Sequence, residues 1–221
     1  MRLLNELQRL LTRTYDLDTQ PEIGDFVVTC PRLAGSMGLP PNAAGSPEQV
    51  LVAEDGENVN LAVYLDEEML ARLRAADPLE TLHDGNLADF WTALEGVSHF
   101  VFLAWSAGWD RQTTRLELEL QGEIDRFVLT AMLVASQSDG QVPKRLHKWL
   151  FDLPRLAPRL DAAARALYAS ANRWAAQYCR TLMTRYDDGS NDSIIPELRR
   201  FYRLSRGRKI RLIAAAEGAL S

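Results

Sequence analysis

"TTRLELELQGEIDRF", residues 113–127, can be read two ways, and the choice decides the fold. Leu116, Leu118 and Leu120 alternate with Glu117 and Glu119, as on a half-buried strand. Leu116, Leu120, Ile124 and Phe127 also recur at helical spacing. Followed further, Leu116, Leu120, Ile124, Phe127, Val128, Ala131, Val134 and Ala135 fall within an arc of about 120° at 3.6 residues per turn. The helical pattern outlasts the alternation, so a helix over about 112–136 is predicted. Beyond Arg126 it is apolar all round, which marks a central, buried element.

Glu117, Glu119, Glu123 and Asp125 crowd this helix. Glu119 and Glu123 share a face, with Arg115 and Arg126 at ion-pair spacing. The favoured reading is an exposed row of ion pairs. The sharper one is a divalent-metal site with Glu119 and Glu123 as ligands and His99 or His83 completing it. Against it, no Glu-x-x-His pair of the kind used in helical di-iron sites occurs. Glu117 falls inside the apolar arc, where a carboxylate needs a partner or a raised pKa. Glu117 and His99 are therefore the catalytic candidates if the protein is an enzyme. A lone buried histidine is more often a satisfied core residue.

Working outward, residues 2–15 carry a stripe of Leu3, Leu7, Leu10 and Leu11, a helix. "IGDFVVTC" reads as a strand. Residues 31–49, rich in Pro and Gly, read as a long mobile loop. Val50 to Ala53 and Val59 to Leu65 form a hairpin around Asp55-Gly56. "DEEMLARLRAAD" and "NLADFWTALEG" are short helices, and the apolar run "VSHFVFLAWSA" is a buried strand. "PKRLHKWLFD", residues 159–185 and "IPELRRFYRLSR", closed by Gly207, are helices, with "KIRLIAAAEGAL" one more. The expected class is α+β. A small antiparallel sheet with flanking helices fills residues 1–110, and an all-helical half, 111–221, shares its core.

Composition bounds the function. Apolar residues are 47% and charged residues 25%, as in a globular chain with a sizeable core. The longest apolar runs fall short of the roughly 20 residues a membrane helix needs, so no membrane partner is expected. The charged N-terminal stretch does not read as a signal peptide, and two isolated cysteines define no disulfide framework. A cytoplasmic location is expected. No P-loop, dinucleotide or zincin motif occurs, so no cofactor is expected and the chain leans non-enzymatic.

The net charge of −5 splits into −12 over residues 1–110 and +7 over 111–221. The basic residues concentrate in 199–211. On a continuing helix, Arg199, Arg203 and Arg206 would lie within about 60° of each other, opposite Leu198, Phe201, Tyr202 and Leu204. With Arg200 they form the predicted partner-binding face. The leading expectation is a non-enzymatic interaction or regulatory protein that grips a macromolecular partner, protein or nucleic acid, through it, unless the basic face docks onto the acidic half. A nucleic-acid-associated protein is the alternative. A metal-dependent hydrolase using His99 and the acids of helix 112–136 is the third. Leu160, Ala164, Leu167, Ala171, Trp174 and Tyr178 form a seam for another helix, which a second copy of the chain could supply.

Overall fold

A computed structural model describes residues 1–18, 21–37, 47–55, 58–152, 161–187 and 191–218. Helix α1, Arg2–Tyr15, buries Leu4, Leu7, Leu11 and Tyr15, the stripe its spacing sets up. A 3-10 turn at Ile23–Asp25 leads to strand β1, Val27–Val28. Strand β2, Glu48–Asp55, pairs antiparallel with β3, Asn58–Leu65, along their whole lengths. β1 pairs with β3 in parallel on its other side, giving the order β1-β3-β2. The sheet is therefore mixed rather than antiparallel. The period of two splits β3 cleanly. Val63 and Leu65 enter the main core, while Ala62 and Tyr64 join Leu51 and Ala34 in a small cluster on the other face.

Part of the expected 31–49 loop is ordered structure. Pro31–Ser36 form helix α2, which Pro31 opens with its fixed φ, and β2 already begins at Glu48. Residues 38–46 and 56–57, with the expected turn at Gly56, lie outside the described residues. Helix α3, Glu67–Ala75, is capped by Asp66, whose carboxylate accepts from the Met69 N–H at 2.8 Å.

The main correction concerns helix α4, Leu87–Gly108. The expected short helix and the strand "VSHFVFLAWSA" are one continuous 22-residue helix. It packs against α1, α3, both long strands and helix α5, Arg115–Gln137. Phe90, Ala93, Leu94, Val97, Phe100, Val101 and Phe102 are all buried. A helix covered on every side shows no polar face, so its periodicity is invisible in sequence. Gly96 does not end it. A Cβ there would meet Glu48 Cγ at 3.1 Å and Val63 and Leu65 at 3.2 Å, so this glycine lets the sheet lie directly on the helix.

α5 is the helix its periodicity predicts. It starts with a reciprocal capping box between Thr114 and Glu117. The C-terminal half adds α6, Leu146–Phe151, α7, Ala162–Asp187, α8, Asn191–Tyr202, and α9, Arg206–Gly218. α7 lays Ala171, Ala175, Tyr178, Cys179 and Leu182 into the core and packs on α5 and α6 as well as α8 and α9. The seam's partner within the chain is chiefly α5; Leu160 lies outside the described residues. The α8 helix stops at Tyr202, and Gly207 sits inside α9 rather than closing α8. One core cluster runs from Leu4 to Ile213 and joins both halves. Among the described residues, no helix is long and apolar enough to cross a membrane.

Candidate metal centre

Three elements meet around His99. Glu95 and His99 lie one turn apart on α4, so their side chains share a face. Glu48, the first residue of β2, is brought beside them by the close contact at Gly96. One ligand-type atom from each of Glu48, Glu95 and His99 lies within 4.8 Å of the other two. On the far side of the ring, Glu119 reaches in from α5. His99 Nδ1 is 3.7 Å from Glu48 Oε1, and Nε2 is 3.7 Å from Glu119 Oε2. Both separations are ion-pair contacts, too long for hydrogen bonds. His99 is 5% exposed, and its Nε2 has no hydrogen-bond partner.

The electrostatics match this crowding. Burial, and then the neighbouring Glu48, push the Glu95 carboxyl up to about 8. Burial alone would lower His99; Glu48, Glu119 and Glu95 override it and raise the imidazole to about 9. Glu119 is raised by burial, with His99 pulling the other way. Glu123 is also raised by burial and is paired with Arg126. At the outer edge, Arg115 lies 3.7 Å from Glu119 and donates to the Tyr168 hydroxyl at 3.1 Å.

Two carboxylates and one imidazole are a donor set for Mn²⁺, Fe²⁺ or Zn²⁺. Tetrahedral ligand atoms on one such ion lie about 3.4 Å apart, since each bond is about 2.1 Å long. The three side chains would have to draw together by up to about 1.4 Å to close around an ion.

The structure brings together some predicted residues and separates others. His99 and Glu119 stand 3.7 Å apart, but the grouped ligand-type atoms come from Glu48, Glu95 and His99, not from the expected Glu119 and Glu123. Glu119 is buried, and with Glu123 half-covered the expected exposed row of ion pairs is not there; α4 and α7 cover that face of α5. Glu123 lies beside the cluster rather than in it. His83 belongs to the turn ahead of α4, its Nδ1 accepting from the Gly85 N–H at 3.0 Å. Glu117 has its partner: it is ion-paired with Arg111, whose guanidinium also donates to the Leu204 carbonyl at 2.9 Å. Its role is to join the α4–α5 turn to the α8–α9 turn.

The arginine face is divided. Arg199 donates to the carbonyls of Thr14 and Arg13, each at 3.1 Å, and Arg203 to those of Tyr15 at 2.8 Å and Asp16 at 2.6 Å. These are the orphan carbonyls at the C-terminus of α1, where cations are favoured. Because α8 ends at Tyr202, Arg206 opens α9 and does not share the face of Arg199 and Arg203. Arg200 and Arg206 are exposed. Sequence reasoning missed Glu48 and Glu95. Glu95 stands four residues before His99, a spacing that could have been seen had α4 been read as continuous. Glu48 left no local signal. No family model, no curated protein and no solved structure matches the chain.

Proposed function

We propose that the protein is a metal-dependent hydrolase whose divalent ion is held by Glu48, Glu95 and His99. The observation that carries this reading is the convergence of one ligand-type atom from each of Glu48, Glu95 and His99 within 4.8 Å of one another, around a buried imidazole. Three protein ligands would leave coordination positions open for water and substrate, the pattern of catalytic rather than closed structural sites. A bound ion would supply a polarised water of lowered pKa. Taken on the Glu48 side, the ion uses Nδ1 and leaves Nε2–H directed at Glu119. Glu119 then fixes the tautomer and ring orientation, and Arg115 holds Glu119 in turn.

Titration with Mn²⁺ tests the reading. Mn²⁺ should raise the melting temperature by several degrees, because a ligand of the native state alone stabilises it. Glu95→Gln and His99→Gln should each abolish the shift. The loaded protein should cleave one of a panel of p-nitrophenyl esters and phosphate esters, and a chelator should stop it. No shift with millimolar Mn²⁺ or Zn²⁺ would make the cluster structural. Binding without cleavage of any ester class would remove the hydrolase and leave a metal-binding protein.

A further inference from the structure

The fold divides the arginine-rich end of the chain into a set bonded to the end of α1 and a set beyond it. Arg199 and Arg203 hold the end of α1, and Lys209 is fully buried, donating to Gln121 Oε1 at 2.9 Å. Arg200, Arg206, Arg208 and Arg211 are exposed around the α8–α9 turn and along the outer side of α9. No acidic residue occurs between Glu197 and Glu217, so Arg206, Arg208 and Arg211 have no carboxylate within five residues in sequence. On α9 the helical period sets Arg208 and Arg211 on the same outer side as Gly207, Ala214 and Ala215, all exposed. The ridge is therefore charged, with only small side chains between the guanidiniums.

We propose that this ridge binds the phosphate backbone of a nucleic acid. Small residues between the arginines let a backbone approach closely, and phosphate contact needs charge rather than apolar anchors. A protein partner would need such anchors, the large side chains that dominate interface energetics. The exposed large hydrophobics among the described residues are Met1, Leu33, Met37, Val52, Trp109, Met132 and Trp149, none of them on α8 or α9. The ridge is independent of the metal centre, and its binding needs no ion.

Fluorescence anisotropy with a labelled DNA duplex and a single strand, in EDTA, tests this. Affinity should fall with salt by about 0.9 log units per contacted phosphate for each log unit of salt on the duplex. Four contacts would give a slope of roughly −3.6. Replacing Arg200, Arg206, Arg208 and Arg211 together by Gln should abolish binding without moving the melting temperature, since all four are exposed. Arg208→Gln alone should reduce the slope by about one. Absence of binding at about 50 mM salt would overturn the proposal. So would a quadruple variant that still binds, or polyglutamate that the protein prefers over DNA.

Discussion

Helix α5 carries two buried polar clusters on opposite sides, and they are built by different rules. On one side Asp125 accepts hydrogen bonds from Tyr15, Ser98 and Gln121, and Gln121 accepts from Lys209. The Lys209 ammonium also lies over the rings of Phe102 at 4.8 Å and Phe201 at 5.2 Å. On the other side His99 stands between carboxylates at ion-pair distance, without a hydrogen bond at Nε2. The first cluster is closed: four helices, α1, α4, α5 and α9, donate to it and satisfy it. The second is open in the chemical sense, rich in acceptors and short of donors. A fully satisfied network rigidifies a core, and an under-satisfied one calls for an explanation, of which the proposed ion is one.

The largest effect should come from breaking the closed cluster. Asp125→Ala would orphan the Tyr15 and Ser98 hydroxyls and the Gln121 amide at once. Removing one partner of a buried charged network costs about 3 kcal/mol or more. Urea denaturation should show that loss, with metal absent or present. Glu95→Gln should behave oppositely. It removes a buried acid among other acids, so the metal-free protein should keep or gain stability, by about 1 kcal/mol at most. Equal losses in the two variants would erase the distinction between the clusters.

A smaller effect appears as pH changes, and its sign differs between the clusters. His99 is raised to about 9 and Glu95 to about 8, so the folded state holds protons that the unfolded state has released. Their contribution is fully present below the unfolded pKa values and is lost as pH rises through 8 to 9. Lys209 is lowered to about 7, by burial first and then by Arg111. Its folded form releases a proton that the unfolded form keeps, so its contribution grows as pH rises from about 7 toward the ordinary lysine value. Each full proton is worth about 1.4 kcal/mol per pH unit. Denaturation of metal-free protein between pH 7 and 9 should therefore show opposed slopes in two variants. Lys209→Met should make stability fall more steeply with pH, and His99→Gln should flatten or reverse the fall. Identical slopes in both would mean that the two clusters do not titrate separately.

What the sequence displays of this architecture depends on how an element is buried. α1 and the start of α5 each have a wet side, so their periods are legible, and the β2–β3 hairpin shows through its β-branched residues. α4 has no wet side, and the β-rich "VSHFVFLAW" then resembles a strand. Gly96 adds to the ambiguity, since a glycine after a short amphipathic stretch reads as a stop, whereas here it is a packing contact with Glu48, Val63 and Leu65. Breaking α4 at that point also hid the Glu95–His99 pair. Arg206 departs from the phase of Arg199 and Arg203 for a related reason: one helical period does not run past Tyr202, where α8 ends. Glu117 was legible as an anomaly because a charge inside an apolar arc requires a partner, and Arg111 is that partner.

The smallest change in stability should accompany the sharpest test of the open cluster. Gly122 lies on α5 against His99, and a Cβ there would come within 3.1 Å of Nε2. Alanine is favoured over glycine inside a helix by up to about 1 kcal/mol. Crowding of the ring offsets this gain by a comparable amount, of order 1 kcal/mol. Gly122→Ala should therefore leave the melting temperature nearly unchanged. The ring, however, has to give by a few tenths of an ångström, and the most direct relief moves Nε2 off α5, away from Glu119. An imidazole displaced in this way no longer aligns Nδ1 with Glu48 and Glu95. Loss of an orienting partner costs about 10-fold to 100-fold in metal affinity. Isothermal titration with Mn²⁺ should record that loss in a protein whose unfolding curve is almost that of the wild type. A Gly122→Ala protein that binds Mn²⁺ as tightly as wild type would show that ring position does not matter, and the ligand role of His99 would fall with it.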